Sequence, residues 1–371
     1  MAPEILLYLL LLIYCSVLVW LSLGFRSSKL FRYHGQKLNI PVSIIICARN
    51  EKETISHCLN SIFSQDYEKE LIQIILVDDA SNDGTPAQAE TLLKYSGTRY
   101  ILLRNASHLG KKASLIKAVN QAAHEMILFT DADTYSTSAN WLKSMLAFQN
   151  THDAALVIGP LGMVKGRGIL WALQSIENSV LNLMACGSAH FNSAFLCSGA
   201  NLLSTKTAFY KAGAYASHLH VASGDDIYFL RDLRALHEKV VFLKNREALV
   251  YTHSMPRFKA LLAQKIRWAA KIKYNTGARP GYLLSACLAA LSLACNLTWI
   301  LVLAFSFMHP TVGKFVFLVF KPAFDLFLLF LSGRLIPLKG LYGYAPLISL
   351  IYPFYALCVG LGALMTKPKW K

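Results

Sequence analysis

The chain opens with an uninterrupted apolar run. Residues 5–25 (ILLYLLLLIYCSVLVWLSLGF) carry no charge and, as a helix, are long enough to cross a hydrocarbon core of ~30 Å. Glu4 precedes the run, while Arg26, Lys29, Arg32 and Lys37 follow it. This asymmetry predicts a retained anchor with its N-terminus outside and the following chain inside. A signal peptide would instead show a basic start, a shorter apolar stretch and a cleavage site. From Pro41 to about Tyr251 the pattern changes to short apolar runs separated by helix-length segments. VSIII (42–46), IQIILV (72–77) and MILFT (126–130) read as buried parallel strands, with helices over 52–64 and 111–123. Strands alternating with helices predict an α/β fold on a doubly wound, mostly parallel sheet.

Three further apolar stretches close the chain, at 282–307, 315–333 and 341–365. The expectation is therefore one N-terminal and about three C-terminal transmembrane helices. The second stretch contains Lys321 and Asp325 at i,i+4 spacing, which predicts a charge pair turned toward protein rather than lipid. The third is broken by Pro346 and Pro353, which neighbouring helices can tolerate in a membrane. One span before the globular region and three after it would leave both termini outside. The tail carrying Lys367, Lys369 and Lys371 argues mildly against that, and a re-entrant second stretch would put the tail inside. The expected boundaries are an anchor over 1–25, a basic juxtamembrane linker over 26–40 and a cytoplasmic domain over 41–256. A basic amphipathic interfacial segment over 257–281 and a membrane region over 282–371 complete them. The reading is an integral membrane protein, of the plasma membrane in a bacterium, with its globular domain in the cytoplasm.

Composition agrees with the pattern: 54% of residues are hydrophobic and 16% charged, where a soluble domain carries about a quarter charged. The net charge is +16, from 37 basic and 21 acidic residues. Nucleic acid, anionic headgroups and phosphorylated ligands all answer to such a balance. Position decides between them. No acidic residue lies between Ser254 and Phe324, whereas Arg257, Lys259, Lys265, Arg267, Lys271, Lys273 and Arg279 cluster just before a span. The excess is juxtamembrane, which makes membrane lipids the partner and excludes nucleic acid. Projected as a helix, 257–275 places Phe258, Leu261, Leu262, Ala269 and Ile272 on one side, with Arg267 and Lys271 opposite. Lys265 interrupts the apolar side and is expected to snorkel. The eight cysteines show no paired metal spacing and read as reduced thiols; the one disulfide considered is Cys186–Cys197.

Five constellations carry chemistry. CARNE (47–51) ends the first strand and LVDDASNDGT (76–85) ends another. Carboxylates just beyond a buried strand can accept hydrogen bonds from a nucleobase or ribose, although Asp78, Asp79, Asn82, Asp83 and Gly84 are equally good turn formers. FTDADT puts Asp131 and Asp133 directly after a strand, and residues i and i+2 of an extended chain face the same way. Paired hard oxygens suit Mg²⁺ or Mn²⁺ shared with substrate phosphates. SGDDIYFL opens a helix with Asp225 and Asp226, which can act as caps or supply a general base. The fifth is QKIRW, Gln264 to Trp268. Lys111 and Lys112 read either as phosphate contacts or as solvated surface lysines.

Taken in order, CARNE, VDDASNDGT, LGKKASL (109–115), TDAD, SGAN (198–201), GDD and QKIRW resemble glycosyltransferase family 2, whose catalytic domain has the GT-A fold. The resemblance covers about residues 41–270. QxxRW is similar to the signature of cellulose, chitin and hyaluronan synthases and of membrane ceramide glucosyltransferases. Those synthases usually carry Thr-Glu-Asp where this chain has Gly224, Asp225 and Asp226. The resemblance implies an inverting hexosyl- or N-acetylhexosaminyltransferase, drawing on a nucleotide diphosphate donor such as a UDP-sugar. The acceptor it implies is a hydroxyl of a membrane-associated glycan or lipid-linked acceptor. By resemblance, Ala48, Arg49, Glu51, Asp78, Asp79, Lys111, Asp131, Gln264 and Arg267 bind the donor, and Asp131 and Asp133 hold Mg²⁺ or Mn²⁺. Asp226 is the base with Asp225 beside it, and Trp268 offers a flat face to the acceptor or packs against the membrane. The rival expectations are a polyprenyl-phosphate glycosyltransferase and a non-catalytic transport or scaffold protein.

Overall fold

Runs that are apolar on both faces, such as VSIIICA and IQIILVD, are stable as strands only when both faces are covered. In the computed structural model they form β1 (Val42–Ala48) and β2 (Ile72–Asp78), and β2 is buried at every residue. The structure describes residues 2–35, 37–216, 219, 221, 224–271 and 280–366, which divide into two compact units.

One unit comprises Ser28–Val164 and Asn192–His253. Its main sheet has seven strands in the order β3 (Arg99–Arg104), β2, β1, β4 (Met126–Asp131), β8 (Leu202–Thr205), β6 (Leu156–Ile158) and β9 (Val240–Phe242). The first four run parallel. β8 is antiparallel to both of its neighbours, and β9 is parallel to β6. A smaller sheet joins β5 (Thr134–Ser136), β10 (Val250–Thr252) and β7 (Leu161–Met163). The helices of this unit are α2 (Ile55–Phe63), α3 (Thr85–Lys94), α4 (Lys111–Asn120), α5 (Trp141–His152), α7 (Lys206–Lys211) and α8 (Asp225–Ala235). Ile44, Ile46, Leu59, Ile74, Leu76, Leu128 and Trp141 belong to one buried core, each such side chain stabilising by ~1.5–3 kcal/mol. The register matters most. Ala48 lies opposite Asp78 and Cys47 opposite Asp131, so the carboxyl ends of β2, β1 and β4 stand side by side.

The other unit takes in the described residues up to Ser27, Lys165–Phe191 and the described residues between 254 and 366. It contains α1 (Ala2–Ser27), α6 (Ile169–His190), α9 (Phe258–Ala270), α10 (Pro280–Ser306), α11 (Val312–Ser332) and α12 (Ala345–Met365). Four of these, α1, α10, α11 and α12, are long and apolar enough to cross a membrane. Lys321 is buried, with its ammonium 2.8 Å from Asp325 and 2.7 Å from Asn296 Oδ1, and Tyr14 donates to Asp325 at 2.6 Å. The expected i,i+4 pair is there, turned to protein.

The sheet is mostly parallel as expected, with β8 antiparallel between β4 and β6. Residues 165–191 pack with the apolar helices. There Gly24 of α1 and Gly187 of α6 allow backbone contact: a Cβ on Gly24 would lie 2.2 Å from the Gly187 carbonyl oxygen. Two expectations need correction. Pro346 does not interrupt α12; it sits in the first turn, where a missing N–H costs nothing. Lys265 does not snorkel. It is buried and paired with Glu177 of α6, its ammonium 4.6 Å from the Trp268 ring centre, while Phe258 is exposed. Ile272, Lys273 and Arg279, and the tail lysines Lys367, Lys369 and Lys371, lie outside the described residues.

Candidate active site

The site is built on the carboxyl edge of the parallel strands. After β1 the chain turns through Asn50, whose φ of 55° is a left-handed conformation that Asn tolerates better than most residues. Asn50 N–H donates to Ser81 Oγ, and its side-chain oxygen accepts from Asn82 N–H. Glu51 N–H donates to Thr85 Oγ1 and Lys52 N–H to Asp83, so CARNE and DASNDGT are tied into one double loop. Ala48 is buried and its carbonyl accepts from Asp79 N–H. The Glu51 carboxylate accepts from Thr54 Oγ1 at 2.9 Å.

The neighbouring aspartates diverge. Asp79 is fully buried, and its carboxylate accepts from Asn105, from the Leu109 and Gly110 amides, and pairs with His108 at 2.7 Å. Burial alone would raise its pKa, but the hydrogen bonds from Leu109, Asn105, Gly110 and His108 outweigh it and hold the carboxyl below its ordinary value. Asp79 thus organises the loop that enters α4. Asp78 is also buried; one oxygen accepts from Ser81 N–H, and Oδ1 has no hydrogen-bond partner. A buried carboxylate oxygen left without a donor is costly, which makes Asp78 the better of the two to receive a ligand's N–H or O–H.

Beyond β4, Lys111 from α4 reaches Asp131 Oδ1 at 2.7 Å and Asp225 Oδ2 at 3.1 Å. Its side chain is 17% exposed. Burial would lower the lysine pKa, yet Asp131 and Asp225 hold it well above its usual value. The reading of Lys111 and Lys112 as solvated is therefore corrected. Lys112 is buried too, donating to the Val221 carbonyl and lying 4.4 Å from the Tyr228 ring centre. Asp225 and Asp226 are the first residues of α8, whose N-cap is Gly224 at φ 87°. Neither acid is the N-cap. Asp226 accepts from Gly199 N–H at 3.3 Å and from Ile227 N–H at 2.8 Å. A Cβ on Gly199 would stand 3.1 Å from Asp225 and 3.2 Å from Lys111, so a larger residue here would push on the two ion-paired side chains. Lys111, Asp131, Gly199, Tyr215, Asp225 and Asp226 line one small pocket.

Residues 43–220 match the family model described as Glycosyl transferase family 2. This chain carries a glycosyltransferase family 2 domain. The domain's sheet is the mixed, mostly parallel sheet of GT-A proteins. The chain resembles along nearly its whole length the mannosyltransferase PcManGT from Pyrobaculum calidifontis, solved with GDP-Man and Mn²⁺. Their TM-score is 0.67 over 98% of each chain at 16% identity. A Poly(ribitol-phosphate) beta-glucosyltransferase of Bacillus spizizenii is 31% identical over 128 residues, 34% of this chain and 20% of that protein. An N-acetylglucosaminyltransferase of Bradyrhizobium diazoefficiens is 25% identical over 237 residues, 61% of this chain and 47% of that protein. The chain thus spans less than half the length of these two curated relatives.

Within the family 2 domain, Asp131 ends β4 and Asp133 lies two residues on; burial first, then the Asp133 and Asp131 charges, push the Cys58 thiol above its ordinary pKa. Cys58 also donates to the Asp131 carbonyl at 3.5 Å. Among the described residues no three His, Cys, Asp or Glu side chains form a metal cage. Two hard oxygens fit a cation whose remaining ligands come from phosphates. Gln264, Arg267 and Trp268 stand on α9, in the other unit. Burial lowers the Arg267 pKa, and its Nε is buried with no hydrogen-bond partner among the described residues. Trp268 is 42% exposed. Sequence reasoning missed Asn105 and His108, and gave no role to Asn201, the last residue of the SGAN motif. Asn201 accepts from Trp141 and donates to the Pro160 and Ala248 carbonyls. Their signal was a lone polar residue beside a strand end, which is too common to single out. All eight cysteines carry thiols.

Proposed function

We propose that this protein is an inverting glycosyltransferase that moves a sugar from a uridine diphosphate donor to a hydroxyl of a membrane-associated glycan or glycolipid. The observation that carries the reading is the convergence of Lys111, Asp131, Asp225 and Asp226 at the carboxyl edge of β1, β2 and β4. Ligands of open α/β sheets bind at that edge. The names of the relatives, a glucosyltransferase and an N-acetylglucosaminyltransferase, support sugar transfer.

In this reading Asp78, with Ala48, Arg49, Glu51 and Asp79 shaping the loop around it, receives the base and ribose. Asp131 and Asp133 would hold Mg²⁺ or Mn²⁺, in keeping with the Mn²⁺ of the mannosyltransferase structure. Such a cation stabilises charge on a departing diphosphate. Lys111 supplies a fixed positive charge at the same place, and by the family resemblance Gln264 and Arg267 of α9 are donor-binding residues. Asp226 takes the proton from the acceptor hydroxyl. Asp225 is engaged by Lys111 and in this reading orients that lysine. Trp268 offers its exposed face to an acceptor sugar. The catalytic domain faces the cytoplasm, on the side of the basic flanks.

The test is hydrolysis of a panel of nucleotide sugars by the purified full chain in detergent with Mn²⁺. Release of UDP from one or two donors, lost in Asp226→Asn, is the expected result. Absence of hydrolysis across the panel, with no nucleotide binding, would overturn the reading.

A further inference from the structure

The QKIRW segment lies on α9, and α9 is seated on other helices of its own unit. Its buried residues are Leu261, Lys265 one turn later, and Ala270. A lysine on a buried helix face is costly unless it is paired. Here the ammonium stands 2.5 Å from Glu177 of α6, the two side chains being 8% and 13% exposed. The same ammonium lies 4.6 Å from the Trp268 ring centre, so the pair also holds the indole of the motif.

Two more contacts fix the helix. Gln174 of α6 is buried; its side-chain nitrogen donates to the Met255 carbonyl at 3.1 Å, and its oxygen accepts from Met255 N–H at 2.8 Å. Gln174 and Glu177 are i,i+3 neighbours on one face of α6. The first grips the chain just before α9 begins at Phe258, and the second grips the middle of the helix. Against α12, Ile266 packs on a glycine: a Cβ on Gly362 would lie 2.4 Å from Ile266 Cδ1.

A paired charge is not needed merely to bury a helix. Well-packed apolar side chains in its place are often as stabilising or more so. What the pair adds is direction. A slide of one residue turns a helix by about 100° and would carry Lys265 off Glu177. It would swing Gln264 and Arg267, which bracket Lys265 and Ile266 in the chain, through the same angle.

We propose, relying on the proposed function for the donor-binding role of Gln264 and Arg267, that Glu177 is a positioning residue. Through Lys265 it fixes the rotation of α9 and so aims Gln264 and Arg267.

The test uses the full chain in detergent. Glu177→Leu combined with Lys265→Leu removes the pair and keeps the seat apolar, so the melting temperature should stay at or above the parental value. KM for the nucleotide sugar should nonetheless rise ~10-fold. Arg267→Ala should raise KM in the parent and add little in the double-leucine background, because the guanidinium there is already misdirected. Spin labels at Ala263 of α9 and Phe354 of α12, both exposed, in a cysteine-free background, should report one narrow distance in the parent and a broadened distribution in the double variant. Glu177→Asp keeps the charge and shortens the reach. It decides if the leucines are not accommodated, and should raise KM ~3-fold or more and broaden the distance. Parental KM with one narrow distance in the folded variant, or an Arg267→Ala penalty equal in both backgrounds, would leave the pair a matter of stability alone and overturn the proposal. If the parent uses no nucleotide sugar, the sugar-transfer reading fails by itself, and the spin-label distances still decide whether Glu177 fixes α9.

Discussion

The Lys111 ammonium stands 3.1 Å from Asp225 Oδ2 while donating to Asp131 at 2.7 Å. One cation from α4 therefore ties the end of β4 to the start of α8. Removing it leaves carboxylates gathered without their counter-charge. Lys111→Met should cost about 3 kcal/mol, as for other mostly buried pairs that lose one partner, and should lower the melting temperature. Mn²⁺ should then raise that temperature more in the variant than in the parent, because the carboxylates no longer have a lysine to hold. Equal Mn²⁺ shifts in both proteins would show that Lys111 and the cation do not share these ligands.

Asp133 contributes a carboxylate beside Asp131 without belonging to the core. Asp133→Ala should abolish transfer while the protein remains in the membrane fraction and keeps its melting temperature. Full activity of the purified variant in excess EDTA would remove the metal from the mechanism.

Asp79 gives the fold an acid limit. Its carboxyl is held below its ordinary value in the folded protein, so the folded state binds fewer protons than the unfolded state between that lowered value and ~3.9. The stabilisation is complete above about pH 4 and is lost as pH falls through the folded pKa. Asp79→Asn places an amide where four donors converge and should cost ~1–3 kcal/mol at pH 7. It should also flatten the dependence of melting temperature on pH below about 4. A variant with the parental acid profile would assign the limit to another group.

The basic flanks following α1 and preceding α10 place the sugar-transfer domain in the cytoplasm in our proposal. In a cysteine-free background, an impermeant thiol reagent added to intact cells should miss cysteines placed at 90–100 and reach those placed at 309–312. The reverse pattern would put the site on the side that lacks the donor.

The parallel half of the sheet was legible because 42–46, 72–77 and 126–130 are apolar on both faces, a pattern that soluble helices of this length do not show. The positions of Asp131 and Asp133 followed at once from those strand ends. Their partner did not. Lys111 lies twenty residues upstream of Asp131, and nothing in local periodicity connects them. The same limit hid the pair of Lys265 and Glu177, where a helical projection sees one helix and not the one packed against it. The packing of α6 against α1 was not legible either, because Glu177, Asn178 and Asn182 give it the polarity of a soluble helix. The close approach of Gly24 and Gly187 that marks its packing depends on two glycines far apart in the chain. β6 and β9 are only three residues each, too short for an alternation to register. The two-loop clasp at Asn50 and Asp83 was half visible: the turn formers were read as such, and so was their place at a strand end.

The assignment of the base rests on the difference between Asp225 and Asp226. Both occupy the first turn of α8, where negative charge is favoured by the helix dipole, so a charge-removing change at either should have a similar small effect on the helix. Their side chains have different partners. Asp225 answers Lys111, and Asn in its place would keep a hydrogen bond but weaken the ion pair. Asp226 accepts from the Gly199 and Ile227 amides, contacts that an Asn oxygen can also make. What Asn cannot do is take a proton from an attacking hydroxyl. Asp226→Asn should therefore keep its melting temperature and nucleotide affinity while slowing transfer by ~10²-fold or more. Asp225→Asn should transfer faster than Asp226→Asn and bind nucleotide less well than the parent, since the orientation of Lys111 is loosened. The measurement is transfer rate alongside UDP affinity for each variant, across pH. If Asp226→Asn transfers at the parental rate, or if Asp225→Asn is the slower of the two with its UDP affinity intact, the proton goes to Asp225 and the assignment reverses.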